Sequence, residues 1–250
     1  MRQKPSRRVG AVAAAAPLFS LLFLAPASAE DLIAAFTSQP PKVDGELSDA
    51  AWAVAQPITS FTLAQSATAA PKKTTVRAAF DRETLYFAIE CAEPQMAKLK
   101  AEQRKRDGDA WKDDCIELFL RPTSAPNEYL QLVFNSVGSF DDCRFGEQGR
   151  PADWNPAWTV KTRRLAQSWQ AEAAIAFREL GAPTPVRGDT WGFKVGREDH
   201  SETDQAGERK AGLYIWPAGV AYGGATGYGA LVFESRNCLR NADFSKRAGQ

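Results

Sequence analysis

Four carboxylates crowd one short stretch of the chain, Asp107, Asp109, Asp113 and Asp114 in RDGDAWKDD, with Trp111 in their midst, and Asp141 and Asp142 follow in SFDDCRF. Oxygen-only ligands of this kind suit a hard cation such as calcium. No acid-x-acid-x-acid-Gly run occurs, so the pattern is not the twelve-residue calcium loop, and solvated loop charges are its commoner outcome. A bound calcium would be structural, and no other cofactor is expected. His200, the one histidine, rules out a His-rich metal site and makes any Ser/His/Asp or Cys/His mechanism depend on a residue in a hydrophilic run, REDHSETDQ, that reads as a loop. Glycoside hydrolysis needs two carboxyl groups facing one another across a bond, and nothing in the spacing pairs two acids in an apolar cleft. The expectation is therefore a protein that is not an enzyme.

Composition narrows the field. Lys+Arg number 31 against Asp+Glu 30, and 44% of the 250 residues are hydrophobic, the profile of a globular domain with no basic tract for nucleic acid. Residues 1–29 read as a secretory signal peptide. MRQKPSRR is basic, VGAVAAAAPLFSLLFLA is apolar, and Ala27-Ser28-Ala29 forms a small-x-small cleavage site before Glu30. Removing that segment takes away four positive charges and no negative one, which turns a formal +1 into −3. A secreted or periplasmic protein without a membrane span is expected.

Export changes the meaning of Cys91, Cys115, Cys143 and Cys238. In an oxidising compartment at least one disulfide is expected among them, and Cys91 with Cys115 is the favoured pair, since they end one expected strand and begin the next. The bland alternative is four buried thiols acting as small apolar residues. No C-x-x-C spacing supports zinc.

The elements that must position these groups are strands. TTVRAAF, the turn Asp81-Arg82-Glu83 and TLYFAIEC form a hairpin with Leu85, Phe87, Ile89 and Cys91 on one face. Further strands are expected at 115–120, 128–135, 139–145, 157–164, 168–175, 190–198, 212–216 and 229–234. Helix signals are confined to SDAAWAVA behind the N-cap candidate Ser48, the charged stretch PQMAKLKAEQRKR and one turn at AFREL. This pattern predicts an all-β, antiparallel sandwich with one or two short helical turns, spanning 30–235 as one domain. The polar tail 236–250, RNCLRNADFSKRAGQ, reads as a flexible terminus or the vestige of a further domain.

Several strings, taken in order, resemble the family nine carbohydrate-binding modules and related DOMON-like, jelly-roll sandwiches. These are VDGELSDAAW, FDRETLYFAIEC, AWKDDCIELFL, YLQLVFNSVGS, WQAEAAIAFREL, WGFKVGRE and the closing TGYGALVFE. The resemblance covers residues 41–234 and implies binding of oligosaccharide or polysaccharide without catalysis. It places Trp111 at the first sugar-stacking position and Tyr222, six residues before Tyr228-Gly229, at the second. Glu117 and Asn135 match polar ligand contacts, and Asp114 joins them as a hydrogen-bonding group. Val133 stands where an Arg occurs in sugar-binding members. Trp52, Trp169 and Trp191 are assigned to packing, as is Trp158, while Trp154 is a candidate for the groove. Two other readings compete. The same sandwich could serve as a structural or protein-interaction domain, and a haem-binding redox role would rest on Met96, the one methionine beyond the signal segment.

Overall fold

The computed structural model describes residues 30–122, 127–146, 154–201 and 212–234. The expected signal segment 1–29, the tail 236–250 and Cys238 lie outside the described residues. The described residues form twelve strands: β1 (Leu32–Phe36), β2 (Thr62–Leu63), β3 (Thr74–Phe80), β4 (Thr84–Ala92), β5 (Cys115–Arg121), β6 (Tyr129–Asn135), β7 (Phe140–Phe145), β8 (Trp158–Arg164), β9 (Ser168–Ala176), β10 (Thr190–Asp199), β11 (Gly212–Trp216) and β12 (Gly229–Glu234). Ten of them coincide, within a residue at either end, with the strands expected from alternation. The β1 and β2 strands are additional.

Hydrogen bonding runs in the order β7-β6-β5-β10-β12-β1-β3-β4-β9-β8, with β11 pairing β10 and β2. Every pairing is antiparallel except the two made by β1, which lies parallel to both β12 and β3. The result is a β-sandwich folded from one continuous sheet. Side chains alternate along each strand, so Ile116, Leu118 and Leu120 of β5 and Phe193 and Val195 of β10 join Leu85, Phe87 and Ile89 of β4 in one core. Phe87 and Phe193 stack across it with centroids 5.4 Å apart. Trp52, Trp158, Trp169 and Trp191 are buried, as expected, and Trp154 packs against the core. Met96 also packs there, from a 3-10 turn at Met96–Lys98, so its thioether fills a gap in the hydrophobic cluster.

Among the described residues the one α-helix, α1 (Ala50–Val54), has Asp49 rather than Ser48 at its N-cap position, and the Asp49 carboxylate accepts from Lys42 N–H instead of capping the helix. It sits behind a turn built around Glu172, whose carboxylate accepts from the backbone N–H groups of Asp44 and Gly45 and from Trp52 Nε1 at 2.7–2.9 Å. Gly45 is needed in that turn. Its φ is +89°, and a Cβ would lie 3.0 Å from the Thr162 carbonyl carbon. Most of the stretch 94–106 is not helical, because Asp114 and Asp113 take the N–H groups of Lys100 and Gln103 at 2.7 and 2.8 Å and hold it open over the sheet.

Cys91 and Cys115 are free thiols, as is Cys143, and the expected bridge is absent. The strands bearing them are not neighbours. Cys91 pairs in register with Thr74 and Trp169, whereas Cys115 pairs with Glu198 and Asn135. Burial pushes the Cys91 thiol up to about 12 and that of Cys115 well above its ordinary value, so both are small apolar groups here.

Candidate functional site

The faces of β5, β6, β7 and β10 that turn away from the core carry polar side chains in cross-strand register. One row runs Gly196, Glu117, Val133, Asp141, and the next includes Phe119, Gln131 and Cys143. Glu117, Val133, Asp141, Gln131 and Cys143 of these rows floor a cleft of about 410 Å³, walled by Phe145, Glu198, Asp107, Asp109 and Trp111. Five of its lining groups are carboxyls, and none is a lysine or arginine.

Trp111 reaches this rim through a 3-10 turn, Ala110–Lys112. Ala110 is buried against Cys115 and Val133, and its N–H donates to Asp141 Oδ2 at 2.6 Å, which ties the turn to β7. The indole itself stays 48% exposed, its Nε1 donating to Asp109 Oδ1 at 3.3 Å and one face covered by the Lys112 ammonium at 5.2 Å. An exposed indole fixed by a buried neighbour is a rigid apolar surface beside a polar floor.

Glu117 is 4% exposed and accepts from the Gln131 side-chain amide. Burial, reinforced by the Glu198 carboxylate beside it, pushes its carboxyl up to about 8. The structure thus brings together two acids that nothing in the spacing pairs. They stand at diagonal positions of neighbouring strands, Glu117 opposite Gly196 and Glu198 opposite Cys115, side by side on one sheet. Glu198 also meets His200 Nε2 at 3.2 Å.

Tyr222 adjoins the cleft and is not among its lining residues. Its ring rests on Gly196, where a Cβ would come within 2.5 Å of Cζ, and packs edge-on to Phe119 at 6.5 Å. Its buried hydroxyl has no hydrogen-bond partner, and burial raises its pKa well above the ordinary value. The loop that carries it is gathered by Lys194. That ammonium is fully buried, donates to the carbonyl oxygens of Gly223, Gly224 and Thr226 at 2.9–3.2 Å with that of Ala221 sharing a donor at 3.4 Å, and lies about 5 Å from the Phe119 and Tyr228 ring centres. Burial lowers its pKa to about 8.

Asn135 and Asp114 do not line the cleft. The Asn135 amide donates to Gln103 O and Asp113 Oδ2, and its oxygen accepts from Val137 and Ser139 N–H, so it organises the β6–β7 turn. Asp114 accepts from Lys100 and His200 N–H, and burial pushes it up to about 6. Gln131, Glu198 and Lys194 are site residues that the family motifs did not supply. Their signal was a polar side chain at every second position of strands otherwise rich in Val, Phe and Leu.

Among the described residues one group of acids converges closely enough for a cation, Glu93, Asp114 and Asp199. The donor set does not fit calcium as it stands, because the Lys72 ammonium is placed among them, 2.7 Å from Glu93 and 2.8 Å from Asp199, and Arg197 lies within 3.7 Å of both. Asp113, Asp141 and Asp142 hold backbone N–H groups, an indole and Arg106 instead.

No curated protein matches the chain. Among solved structures, a carbohydrate binding module family 9 from Caldicellulosiruptor kristjanssonii in complex with cellotriose superposes with TM-score 0.58 at 17% identity, over 84% of this chain and 97% of that one. The same module in complex with glucose gives 0.58 at 17%, over 85% and 100%. A Bacteroides uniformis protein gives 0.65 at 15%, over 83% and 100%. These likenesses are of fold. The sequence profile described as carbohydrate family 9 binding domain-like matches residues 43–236, from the Glu172-bound opening turn through the closing strand, and the chain belongs to that family.

Proposed function

We propose that the protein is an exported, noncatalytic module that binds oligosaccharide or polysaccharide in the cleft beside Trp111. One observation carries this reading: a half-exposed indole, fixed by a buried turn, stands at the rim of a cleft whose floor offers the Glu117 and Gln131 hydrogen-bonding groups. Pyranose C–H faces stack on such rings while hydroxyls engage the polar floor. Trp111 and Tyr222 are the two stacking faces in this reading, Glu117 is the principal polar contact, and Asn135 and Asp114 act on the sugar through the turn and strand they hold. Glu117 and Glu198 stand side by side on one sheet instead of confronting each other across a bond, which favours binding over hydrolysis. Family membership supports the sugar as ligand, and the solved relatives in complex with cellotriose and glucose support a pyranose.

Titrating the protein calorimetrically with a panel of pyranose oligosaccharides tests it. Trp111→Ala is expected to weaken binding by about 1 to 3 kcal/mol, by analogy with bases stacked on aromatic side chains, and to leave the melting temperature nearly unchanged. Trp191→Ala, a core truncation, is expected to remove roughly 3 to 5 kcal/mol of folding stability. A Trp111→Ala protein that unfolds as readily as Trp191→Ala, or binds as tightly as wild type, would remove Trp111 from the site.

A further inference from the structure

We infer that the sugar taken by this cleft carries its own positive charge, a glycan with free amino groups, and that Asp141 and Glu117 hold the ammonium. The inference rests on the sugar-binding reading above and goes on to name the class of sugar. It starts from the register. Glu117 of β5 and Asp141 of β7 both pair with Val133 of β6, so the two carboxyls flank one isopropyl group in a single row, with Cα atoms roughly 10 Å apart at the usual strand spacing.

The acids of the cleft divide into two sets. Those of the rim are already balanced, since Lys112 pairs with Asp109 at 2.6 Å and Arg106 with Asp107 at 3.6 Å. Those of the floor are not. Asp141 is 6% exposed and spends Oδ2 on the Ala110 N–H, while its other buried oxygen, Oδ1, has no hydrogen-bond partner. Glu117 receives a neutral amide, that of Gln131, lies beside a second carboxyl, Glu198, and feels the charge of Lys194 from a distance. Lys194 lies on the same face but turns its ammonium to the carbonyls of its loop. Val133 provides no charge between them.

A buried carboxylate without a cation is unfavourable, and burial raises the pKa of both Asp141 and Glu117, so Glu117 keeps its proton in the empty cleft and gives it up to solvent when an ammonium arrives. An entering ammonium offers three donors and the missing charge, and it gains a charge-assisted hydrogen bond in a site screened from water. A neutral sugar offers only hydroxyls, and a uronic acid would bring a third carboxylate to the floor.

The test compares three β-1,4-linked trimers on the full chain by calorimetry at mildly acidic pH and low salt: cellotriose, the glucosamine trimer and its fully N-acetylated form. The glucosamine trimer is expected to bind roughly ten-fold tighter than either neutral trimer, the gain of one charge-assisted hydrogen bond, and to lose that advantage as salt is added. Asp141→Asn and, separately, Glu117→Gln are expected to shrink the ratio of glucosamine-trimer to cellotriose affinity, a readout that a general loss of fold does not move. Cellotriose or the acetylated trimer binding as tightly as the glucosamine trimer overturns this inference and leaves sugar binding intact. So does a ratio unchanged in both variants. Failure of all three trimers to bind defeats the sugar-binding reading itself, and this inference with it.

Discussion

The Lys194 ammonium lies 2.9 Å from the carbonyl oxygen of Gly223, one residue beyond Tyr222 in the loop that Lys194 gathers. A buried cation here does the work of a loop template: four carbonyls that would otherwise point apart converge on one donor group. Lys194→Met keeps the side chain's length and removes the donors. Sugar affinity is expected to fall by about ten-fold and amide exchange in 217–228 to accelerate, and the unfolding midpoint to drop by the equivalent of about 1 to 3 kcal/mol, since the carbonyls that Lys194 held lose their donor. Unchanged exchange in that loop would refute the role.

Gly196 provides the seat for the Tyr222 ring, and its backbone does not itself demand glycine. Gly196→Ala puts a methyl within 2.5 Å of Cζ, so the ring must leave. If Tyr222 is a stacking face, this one methyl is expected to weaken sugar binding by about 1 to 3 kcal/mol, measured by calorimetry, while the mature core beneath β10 stays packed. A wild-type affinity in Gly196→Ala would leave Trp111 as the single aromatic face.

Glu117 makes stability depend on pH. Its folded pKa of about 8 lies above its ordinary 4.5, so the folded state binds the proton more tightly. The contribution is full below pH 4.5 and is lost as pH rises through 8. Glu117→Gln removes that loss. The difference in melting temperature, variant minus wild type, is therefore expected to be more positive above pH 8 than below pH 4.5, and a difference independent of pH contradicts the assignment.

Lys72 neutralises a fully enclosed cluster, and removing it leaves Glu93 and Asp199 short of a cation. Lys72→Met is expected to cost about 3 to 5 kcal/mol in urea unfolding. By comparison, Arg163→Ala, which breaks the half-exposed pair with Glu46, is expected to cost less than about 1 kcal/mol. Equal costs for the two would mean that the cluster is solvated.

Alternation made most of the fold legible in the sequence. TLYFAIEC announced its inward face because Leu85, Phe87, Ile89 and Cys91 repeat every second residue, and the same rule found ten strands. It passed over β2, which is two residues long, and β1, whose LIAAF directly follows the expected cleavage site. Of the site, Trp111 and Glu117 were legible as motif residues and the structure puts both on the cleft. Asn135 and Asp114 were legible too, yet their polar atoms are spent on backbone groups, and no local pattern tells a carboxylate that caps a loop from one that faces a ligand. The Cys91–Cys115 bridge failed for a related reason: neighbours in sequence are not neighbours in a sheet where β4 joins β9 and β5 joins β10.

The parallel placement of β1 sets an order of events. Leu32 pairs with Leu231 on one side and Ala34 with Ala78 on the other. A chain released residue by residue as it is made can form the β3–β4 hairpin early, but β1 keeps one edge bare until β12 has followed. Contacts of such long sequence separation form slowly, and an unpaired strand edge invites association with other chains. The interval before β12 arrives is thus when this protein is most exposed to aggregation, and when a holding chaperone would matter most.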